Sequence, residues 1–179
     1  MILKNIFSGE IEEERPEDIK DIYKVNVKAF KRKDEAEVVD RLRQCSPVFR
    51  SYVARVDGHV VGHILFTSAH IVQPNDWTVP GLGLAPLAVS PEFQGVGIGS
   101  ALCREGLKNI DTADYPFVIV LGHPGYYQRF GFEPTRLYGI RCCYEDVPEE
   151  CFMIRILDLG KMSGVAGVAY YRPEFDKLI

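Results

Sequence analysis

The sequence predicts an α+β fold (an α/β three-layer arrangement), and three observations along the chain predict it. Two amphipathic helical patterns come first, before any long strand pattern. A hairpin signal at Asp57-Gly58 then joins two strand patterns. Finally, a strand, a helix and a second strand follow one another between Leu84 and Leu121, as in a right-handed βαβ unit.

A short strand and two helices form the first part of the chain. Residues 11–15 are the candidate strand, and Pro16 suits the first turn of the helix that follows. The second helix begins at Asp34, and Glu37, three residues later, makes an acidic version of a capping box. The apolar positions at helical spacing are Ile19, Ile22, Tyr23 and Phe30 in the first helix, and Val38, Val39, Leu42 and Cys45 in the second.

A β-hairpin is predicted after the helices. The strand patterns cover residues 51–56 and 59–67, and Asp57-Gly58 between them favours a tight turn. We expect residues 70–80 to form a loop or hairpin tip. Within it, Trp77 is expected to pack against the protein rather than to recognise a substrate.

The next stretch has the sequence pattern of an anion site. An apolar strand pattern at Leu84–Val89 leads through the turn Ser90–Phe93 into Gln94–Ser100, where glycines occupy alternate positions and a helical pattern starts. Glycines let backbone amides approach a ligand closely. The first N–H groups of a helix have no partner within it, and the helix dipole is positive there. We therefore expect a phosphate or pyrophosphate over Gln94–Ser100.

Two common phosphate motifs do not match this stretch. A P-loop needs a lysine after its last glycine, whereas Gly99 is followed by Ser100. In a dinucleotide fingerprint Gly95 and Gly97 fit, but the third glycine position falls on Ser100. That fingerprint also follows its strand directly, whereas residues 90–94 intervene here. A nucleotide-dependent enzyme on a Rossmann-like scaffold therefore remains a minor alternative.

Two segments together resemble the GNAT superfamily of N-acetyltransferases. Gln94-x-x-Gly97-x-Gly99, after a strand ending in Leu87-Ala88-Val89, is similar to the acetyl-CoA signature of that family. Downstream, Tyr126-Tyr127-Gln128-Arg129-Phe130-Gly131-Phe132 resembles the family's Phe-Tyr-x-x-x-Gly-Phe segment. The two segments are in the family's order and at about its separation. The small bacterial-type subgroup with a C-terminal strand extension is the most similar.

The resemblance implies both a fold and an activity. The fold is a mixed, mostly antiparallel central sheet flanked by helices, with the parallel βαβ unit at the acetyl-CoA site. We expect one acetyltransferase domain over residues 1–179, with a core at about 10–140 and a C-terminal extension of strands at 141–179. The implied activity is acetyl-CoA-dependent transfer from the thioester to an amine by direct attack in a ternary complex. The acceptor is a small-molecule amine or a protein amine, and strand edges in such folds often pair, which leaves a homodimer open.

The resemblance also implies which residues form the site. Pro86 interrupts its strand, which frees the backbone of Leu87–Val89 for the pantetheine arm and the thioester oxygen. Tyr127 matches the tyrosine that protonates the leaving thiolate, with Tyr126 second. His123 stands in a shorter turn where many members carry an asparagine, and is a candidate base or thioester contact. The expected cofactor-binding residues are Leu87, Ala88, Val89, Gln94, Gly95, Val96, Gly97, Ile98, Gly99 and Ser100.

Composition excludes several other classes of function. A net charge of −4 argues against a nucleic-acid partner, and no run of roughly eighteen apolar residues could span a membrane. The N-terminal residues 1–15 turn acidic too early for a signal peptide. The five cysteines form no C-x-x-C motif, which indicates reduced thiols and a cytoplasmic protein. Cys142-Cys143 would face opposite sides of a strand, so no metal site is expected.

One alternative on the same fold stays open. The missing asparagine and the unassigned general base also suit a non-catalytic module that binds acyl-CoA or a protein partner. The sequence by itself does not decide between this module and an enzyme.

Overall fold

The computed structural model describes residues 7–178. Their contacts form two compact units. The first unit takes in the chain as far as Phe66, then Pro86–Asn109 and Leu178, and the second takes in Thr67–Ala85 and Ile110–Lys177. The expectation of one domain stays a prediction. The expectation of no signal peptide rests partly on residues 1–6, which lie outside the described residues.

The first unit contains three helices and the strands beside them. Its strands are hydrogen-bonded in the order β1-β2-β3-β4, and β1 pairs antiparallel with β2. The β2–β3 turn is the predicted one, because Asp57 and Gly58 both have positive φ (49° and 78°), as a tight hairpin requires. The elements are β1 (Glu10–Glu13), α1 (Ile19–Phe30), α2 (Asp34–Cys45), β2 (Phe49–Val56), the first part of β3 (His59–Val72), the end of β4 (Thr78–Val89) and α3 (Ile98–Lys108).

The starts of the first two helices differ in detail from the sequence prediction. Pro16–Asp18 forms a short 3-10 turn, in which the Asp18 carboxylate accepts the Arg15 N–H at 2.9 Å, and α1 follows it. The capping box predicted at Asp34 is wrong, because Lys33 occupies the N-cap position and no side chain caps the helix. The predicted apolar positions are buried only in part. Ile22, Val38, Val39 and Leu42 are buried, Ile19 and Tyr23 are half-buried, and Phe30 and Cys45 are exposed.

Helix α3 packs closely on β3 within the first unit. A Cβ at Gly62 would lie 2.9 Å from a methyl carbon of Ile98 and 3.0 Å from one of Leu102. Ile98 and Leu102 are themselves almost completely buried. Glycine in this strand therefore lets the helix approach the sheet, which fixes where α3 begins.

The second unit contains most of the remaining strands. Hydrogen-bonded neighbours follow the order β7-β9-β3-β4-β5-β8-β6. β4 is parallel to β5, with Leu82 opposite Val118 and Leu84 opposite Val120, whereas β8 is antiparallel to β5. The sheet is thus mixed and mostly antiparallel, as expected. Its elements are the end of β3, the start of β4, β5 (Phe117–Leu121), α4 (Pro124–Tyr127), β6 (Glu133–Pro134), β7 (Ile140–Cys142), β8 (Phe152–Ile156) and β9 (Gly167–Tyr170).

Residues 73–77 form the tip between β3 and β4, so the loop or hairpin tip expected over residues 70–80 is present but shorter. β3 continues to Val72 and β4 begins at Thr78, so that the turn is much shorter than expected. The extra length of β3 is paired with β9, where His70 lies opposite Tyr170. A partner so distant in the sequence leaves no local signal. Trp77 at the tip is 69% exposed, so its expected packing is wrong.

Among residues 7–178, no helix is both long enough and apolar enough to cross a membrane. The five cysteines are all free thiols. The described residues bring together no group of three or more side chains that could hold a metal ion.

A buried polar chain connects the helices and strands of the first unit. His63 is fully buried, and its Nδ1 accepts a hydrogen bond from the Asn26 amide at 3.1 Å. The imidazole proton therefore lies on Nε2, which is 3.0 Å from the Ser51 hydroxyl. Ser51 donates in turn to Glu14, which also accepts from Arg43 at 2.6 Å. Burial, aided by the positive charge of Arg43, lowers the pKa of His63 to about 3.

This pKa predicts an acid-sensitive stability. The unfolded chain takes up a proton on His63 near pH 6.5, whereas the folded chain keeps the ring neutral, so stability falls as pH drops below about 6.5. The contribution of His63 is up to about 1.4 kcal/mol per pH unit. In His63→Gln, we expect urea unfolding free energies at pH 7, 6 and 5 to fall less steeply than in the wild type. His59→Gln, an exposed site in the same strand, is the control, and equal slopes in wild type and His63→Gln would contradict the assignment.

Candidate functional site

The glycine-rich turn before α3 has a backbone that only glycine adopts easily. Gly95 and Gly97 have φ of 79° and 99°, in the left-handed region. A Cβ added at either position would meet no atom within 4 Å. The glycines are therefore required by the backbone conformation, and the space over them is open to a ligand.

Hydrogen bonds fix this turn to the rest of the first unit. The Gln94 side-chain amide donates to the Val89 carbonyl at 2.9 Å, which joins the turn to the end of β4. The Val96 carbonyl accepts the backbone N–H of Phe7 at 3.1 Å. Glu92 is on the surface, and its hydrogen bond with the ammonium of Lys28 at 2.9 Å holds the pKa of this carboxyl below its usual value. Gln94, which is predicted to contact the ligand, therefore also has a structural role: its side chain holds the turn against the end of β4.

The helix after the turn starts two residues earlier than predicted. It begins at Ile98 instead of Ser100, with Gly97 at the N-cap position. The first bond along this helix runs from the N–H of Ala101 to the carbonyl of Gly97 at 3.0 Å. The N–H groups of Ile98–Ser100 precede that bond, so they have no acceptor within the helix. They lie directly after the open glycine turn, where an anion would be stabilised.

The end of β4 leaves its parallel ladder before the proline. Leu82–Leu84 of β4 pair with β5. Pro86 follows two residues later, and because proline has no N–H it cannot donate a hydrogen bond to the ladder. At the end of the strand, the Ser90 N–H donates to the carbonyl of Val61 in β3 at 2.9 Å. Leu87–Val89 thus form the last residues of a strand held along one edge by β3. Ala88 is buried, whereas Leu87 and Val89 are half-buried.

The second unit holds the two residues predicted to act chemically. His123 is at the N-cap position of α4 with an exposed side chain, and its carbonyl accepts the N–H groups of Tyr126 and Tyr127 at 3.0 and 3.2 Å. The Tyr127 ring lies against Gly122, where a Cβ would be 2.4 Å from its Cε2 atom. Phe132 meets this ring edge-on, with centroids 5.8 Å apart. Glycine before the helix is therefore needed to seat Tyr127.

The adjacent tyrosine has different surroundings. Arg129 lies over the Tyr126 ring, 4.5 Å from its centroid, and donates to the Tyr126 carbonyl at 3.1 Å. The rings of Tyr126 and Tyr127 are nearly perpendicular, at 79°. The two tyrosines of the motif therefore occupy distinct environments.

The structure also contains a buried tyrosine that the sequence reasoning missed. Tyr171, directly after β9, lies in the second unit with its ring against Gly83, where a Cβ would be 2.6 Å from two ring atoms. In the sequence it lies within the predicted C-terminal extension of strands, so no local signal separates it from a core residue. Only the pairing of β9 with β3 brings it beside β4.

The predicted site residues are thus divided between the units. All ten predicted cofactor-binding positions lie in the first unit, in the continuous stretch Leu87–Ser100. His123 and Tyr127 lie in the second unit, around the turn that follows β5.

Comparison with known proteins gives consistent matches. The family model of the acetyltransferase (GNAT) domain matches residues 10–135. The uncharacterized N-acetyltransferase YjhQ of Escherichia coli K12 is 42% identical over 153 residues, which are 82% of this chain and 83% of that protein. The uncharacterized N-acetyltransferase YhbS of the same strain is 32% identical over 151 residues, or 84% of this chain and 88% of that protein.

Solved structures agree with the sequence comparisons. The crystal structure of the GNAT family N-acetyltransferase YhbS from Escherichia coli in complex with CoA has a TM-score of 0.84 at 30% identity, covering 94% of this chain and 92% of that one. A GNAT family acetyltransferase from Brucella melitensis in complex with acetyl-CoA has a TM-score of 0.74 at 32% identity, covering 94% and 98%.

The positive φ of Gly97 leads to a prediction for stability. We expect Gly97→Ala to lower the unfolding free energy by about 1–2 kcal/mol, because alanine is disfavoured at positive φ although its Cβ has space. Gly125→Ala is the matched control, since its Cβ would also meet nothing and its φ is not positive. Urea unfolding measures both. An unchanged stability in Gly97→Ala would mean that the turn relaxes to another conformation.

Proposed function

Because this chain belongs to the GNAT family of N-acetyltransferases and uses acetyl-CoA, we propose that it moves the acetyl group to an amine by direct attack in a ternary complex. One observation carries the proposal. The open turn at Gly95 and Gly97 precedes the start of α3 and follows the end of β4. Such a turn can bind a pyrophosphate through its backbone N–H groups. The backbone at the end of the preceding strand can form hydrogen bonds with the amides of the pantetheine arm of acetyl-CoA.

The residues of the first unit fit acetyl-CoA. The N–H groups of Gly95–Ser100 would hold the pyrophosphate, because the space that a Cβ at Gly95 or Gly97 would occupy is open. The backbone of Leu87–Val89 would hold the pantetheine arm beyond the ladder that ends at Leu84. A backbone N–H of this segment would also stabilise the oxyanion that develops during transfer.

Tyr127 is proposed as the general acid. Acetyl-CoA supplies the thioester, and its sulfur is the leaving group. A phenol has a pKa near 10, so Tyr127 carries a proton at neutral pH and can give it to the departing sulfur. The packing of the Tyr127 ring on Gly122 and Phe132 holds the hydroxyl in one direction.

The acceptor must lose a proton before it can attack. A lysine-like amine has a pKa near ~10.4, so a base or a chain of water molecules must take this proton. His123, exposed at the start of α4, is our candidate for the base. The acceptor is proposed as a small-molecule amine or a protein amine. The five free thiols fit a reducing compartment such as the cytoplasm, and a homodimer remains a prediction.

The cofactor assignment is tested by ligand-dependent stability. Acetyl-CoA at about 100 times its Kd should add roughly 2.7 kcal/mol, which raises the Tm by roughly 5–10 °C for a chain of this size. NAD and ATP at the same concentration are the controls and should leave the Tm unchanged. A shift with NAD but none with acetyl-CoA would instead support a dinucleotide site.

The role of Tyr127 is tested by removing one hydroxyl. Tyr127→Phe should lower kcat by about 100-fold, the usual contribution of a general acid, and leave the KM for acetyl-CoA nearly unchanged. Tyr126→Phe removes the neighbouring hydroxyl of the same motif and should retain kcat. Steady-state rates with any accepted amine measure both. Equal rates for wild type and Tyr127→Phe would remove this tyrosine from the mechanism.

A further inference from the structure

A cavity of about 360 Å³ lies in the C-terminal part of the second unit. This volume is within the range of roughly 300–1,000 Å³ that small-molecule sites have. Its lining residues all come from residues 135–152, which run from the end of β6 to the start of β8 and include β7. His123, Tyr127 and the stretch Leu87–Ser100 are not among them. The cavity is therefore a candidate for a second binding site, separate from the residues proposed to act in acetyl transfer.

One wall of this cavity is the edge of a strand rather than a face of the sheet. The consecutive residues Gly139, Ile140, Arg141 and Cys142 all line it. Successive side chains of a strand point to opposite faces of the sheet, so a wall built from consecutive residues presents their backbone. β7 pairs with β9 along one edge, and no other strand within residues 7–178 pairs with it. The cavity thus contains an open strand edge, which can pair with a ligand.

The bonds between β7 and β9 show which backbone groups face the cavity. The carbonyl of Gly139 accepts a hydrogen bond from β9 at 3.2 Å, and the N–H of Cys143 donates one to β9 at 3.1 Å. Alternate residues of a strand direct their backbone groups to opposite edges. The N–H and carbonyl groups of Ile140 and Cys142 therefore point away from β9, toward the open edge. Ile140 is only 1% exposed, so its backbone groups are shielded from bulk water and gain from a partner in the cavity.

The rim of the cavity carries side chains of both charge signs. Arg141 and Glu145 line it and are exposed, and neither forms a salt bridge or a hydrogen bond with another of the described residues. Arg136 and Glu149, also at the rim, are 4.0 Å apart as an ion pair. Burial raises the pKa of the Cys142 thiol to about 11, so this thiol adds no charge at neutral pH. One positive and one negative side chain are thus available, which matches a ligand that carries one charge of each sign.

The interior of the cavity is apolar. Ile140 and Phe152 are each 1% exposed, and Val147 is half-buried. The Phe152 ring packs on Tyr171, with ring centroids 6.4 Å apart, so it is held in place. An apolar group of a ligand would be removed from water against these side chains, which favours binding.

We propose that this cavity binds a free α-amino acid with an apolar side chain, paired with the open edge of β7 opposite Ile140. In an antiparallel hydrogen-bonded pair, two opposite residues exchange both of their N–H···O bonds. The ammonium of the ligand donates to the Ile140 carbonyl, and its carboxylate accepts the Ile140 N–H. Glu145 complements the ammonium and Arg141 complements the carboxylate. Opposite residues of a pair direct their side chains to the same face, so an L-amino acid places its side chain on the buried side with that of Ile140.

Isothermal titration calorimetry of the full chain without acetyl-CoA tests the proposal. We expect one saturable site per chain for L-leucine, L-methionine or L-phenylalanine. D-Leucine and glycine should bind at least about 10-fold more weakly than L-leucine, because the side chain of the first points away from the interior and the second has none. The proposal is overturned if none of the three L-amino acids gives saturable binding up to about 10 mM, or if D-leucine binds as well as L-leucine.

Two analogues of leucine distinguish a free amino acid from the end of a peptide. L-Leucinamide lacks the carboxylate and N-acetyl-L-leucine lacks the ammonium, so each should bind at least about 10-fold more weakly than L-leucine. If L-leucinamide binds as tightly as L-leucine, the site recognises the N-terminus of a peptide. Equal binding of N-acetyl-L-leucine would indicate a peptide C-terminus. Either result would contradict the assignment of a free amino acid.

Substitutions at the rim identify the cavity as the place of binding. Arg141→Ala should weaken the binding of L-leucine by about 10-fold but leave that of L-leucinamide unchanged, because the amide has no charge to lose. Arg104→Ala, at an exposed position of α3 in the first unit, is the matched control and should bind L-leucine normally. Both arginines are exposed, so the Tm of each variant should stay near that of the wild type. Normal binding of L-leucine by Arg141→Ala would overturn the proposal.

This proposal and that of acetyl transfer fail separately. The calorimetry needs neither acetyl-CoA nor turnover, so its result does not depend on Tyr127 or His123. Full activity of Tyr127→Phe would remove the assigned general acid and leave the amino-acid site intact, whereas an empty titration with the L-amino acids would remove only this site.

Discussion

The end of the parallel ladder between β4 and β5 is the constraint on which the proposed chemistry depends. The ladder includes Leu84 opposite Val120, and Pro86 then has no N–H with which to continue it. The strand nevertheless continues to Val89 because its other edge is held by β3, as the bond from Ser90 to Val61 shows. Backbone groups beyond the proline are thereby kept in extended form, which is the state needed to pair with an amide-bearing cofactor arm. The glycine turn follows a few residues later, so one continuous segment would hold both the pantetheine arm and the pyrophosphate.

The sequence predicted features that depend on local backbone chemistry. Asp57-Gly58 gave the hairpin, and Gly95 and Gly97 gave the turn, because positive φ at these positions is a property of the residues themselves. The parallel βαβ unit was predictable for a similar reason, since the crossover rule leaves few choices once strand and helix patterns alternate. How the cofactor-binding positions and Tyr127 act remains a prediction that rests on the family resemblance.

Features that depend on distant pairing were not predictable. β3 is longer than its pattern suggested because β9, about a hundred residues later, pairs with His70–Val72. The same pairing places Tyr171 against Gly83, and no sequence motif predicts that contact. The buried chain through His63 is a third case, since it needs Asn26, Ser51 and Glu14 from separate elements. Each is a tertiary contact between residues that lie far apart in the sequence, so no local pattern signals it.

Direct transfer without a covalent intermediate is the central claim, and intact-protein mass spectrometry coupled to a free-thiol assay tests it most directly. The protein is mixed with acetyl-CoA, first alone and then with a panel of amines. Direct transfer predicts that the mass of the chain stays unchanged throughout, and that free CoA appears only with an amine and in an amount equal to the N-acetylated product. A chain that gains an acetyl group in the absence of any amine would contradict direct attack. Thermal stabilisation by acetyl-CoA with no product from any amine would instead identify a binding module.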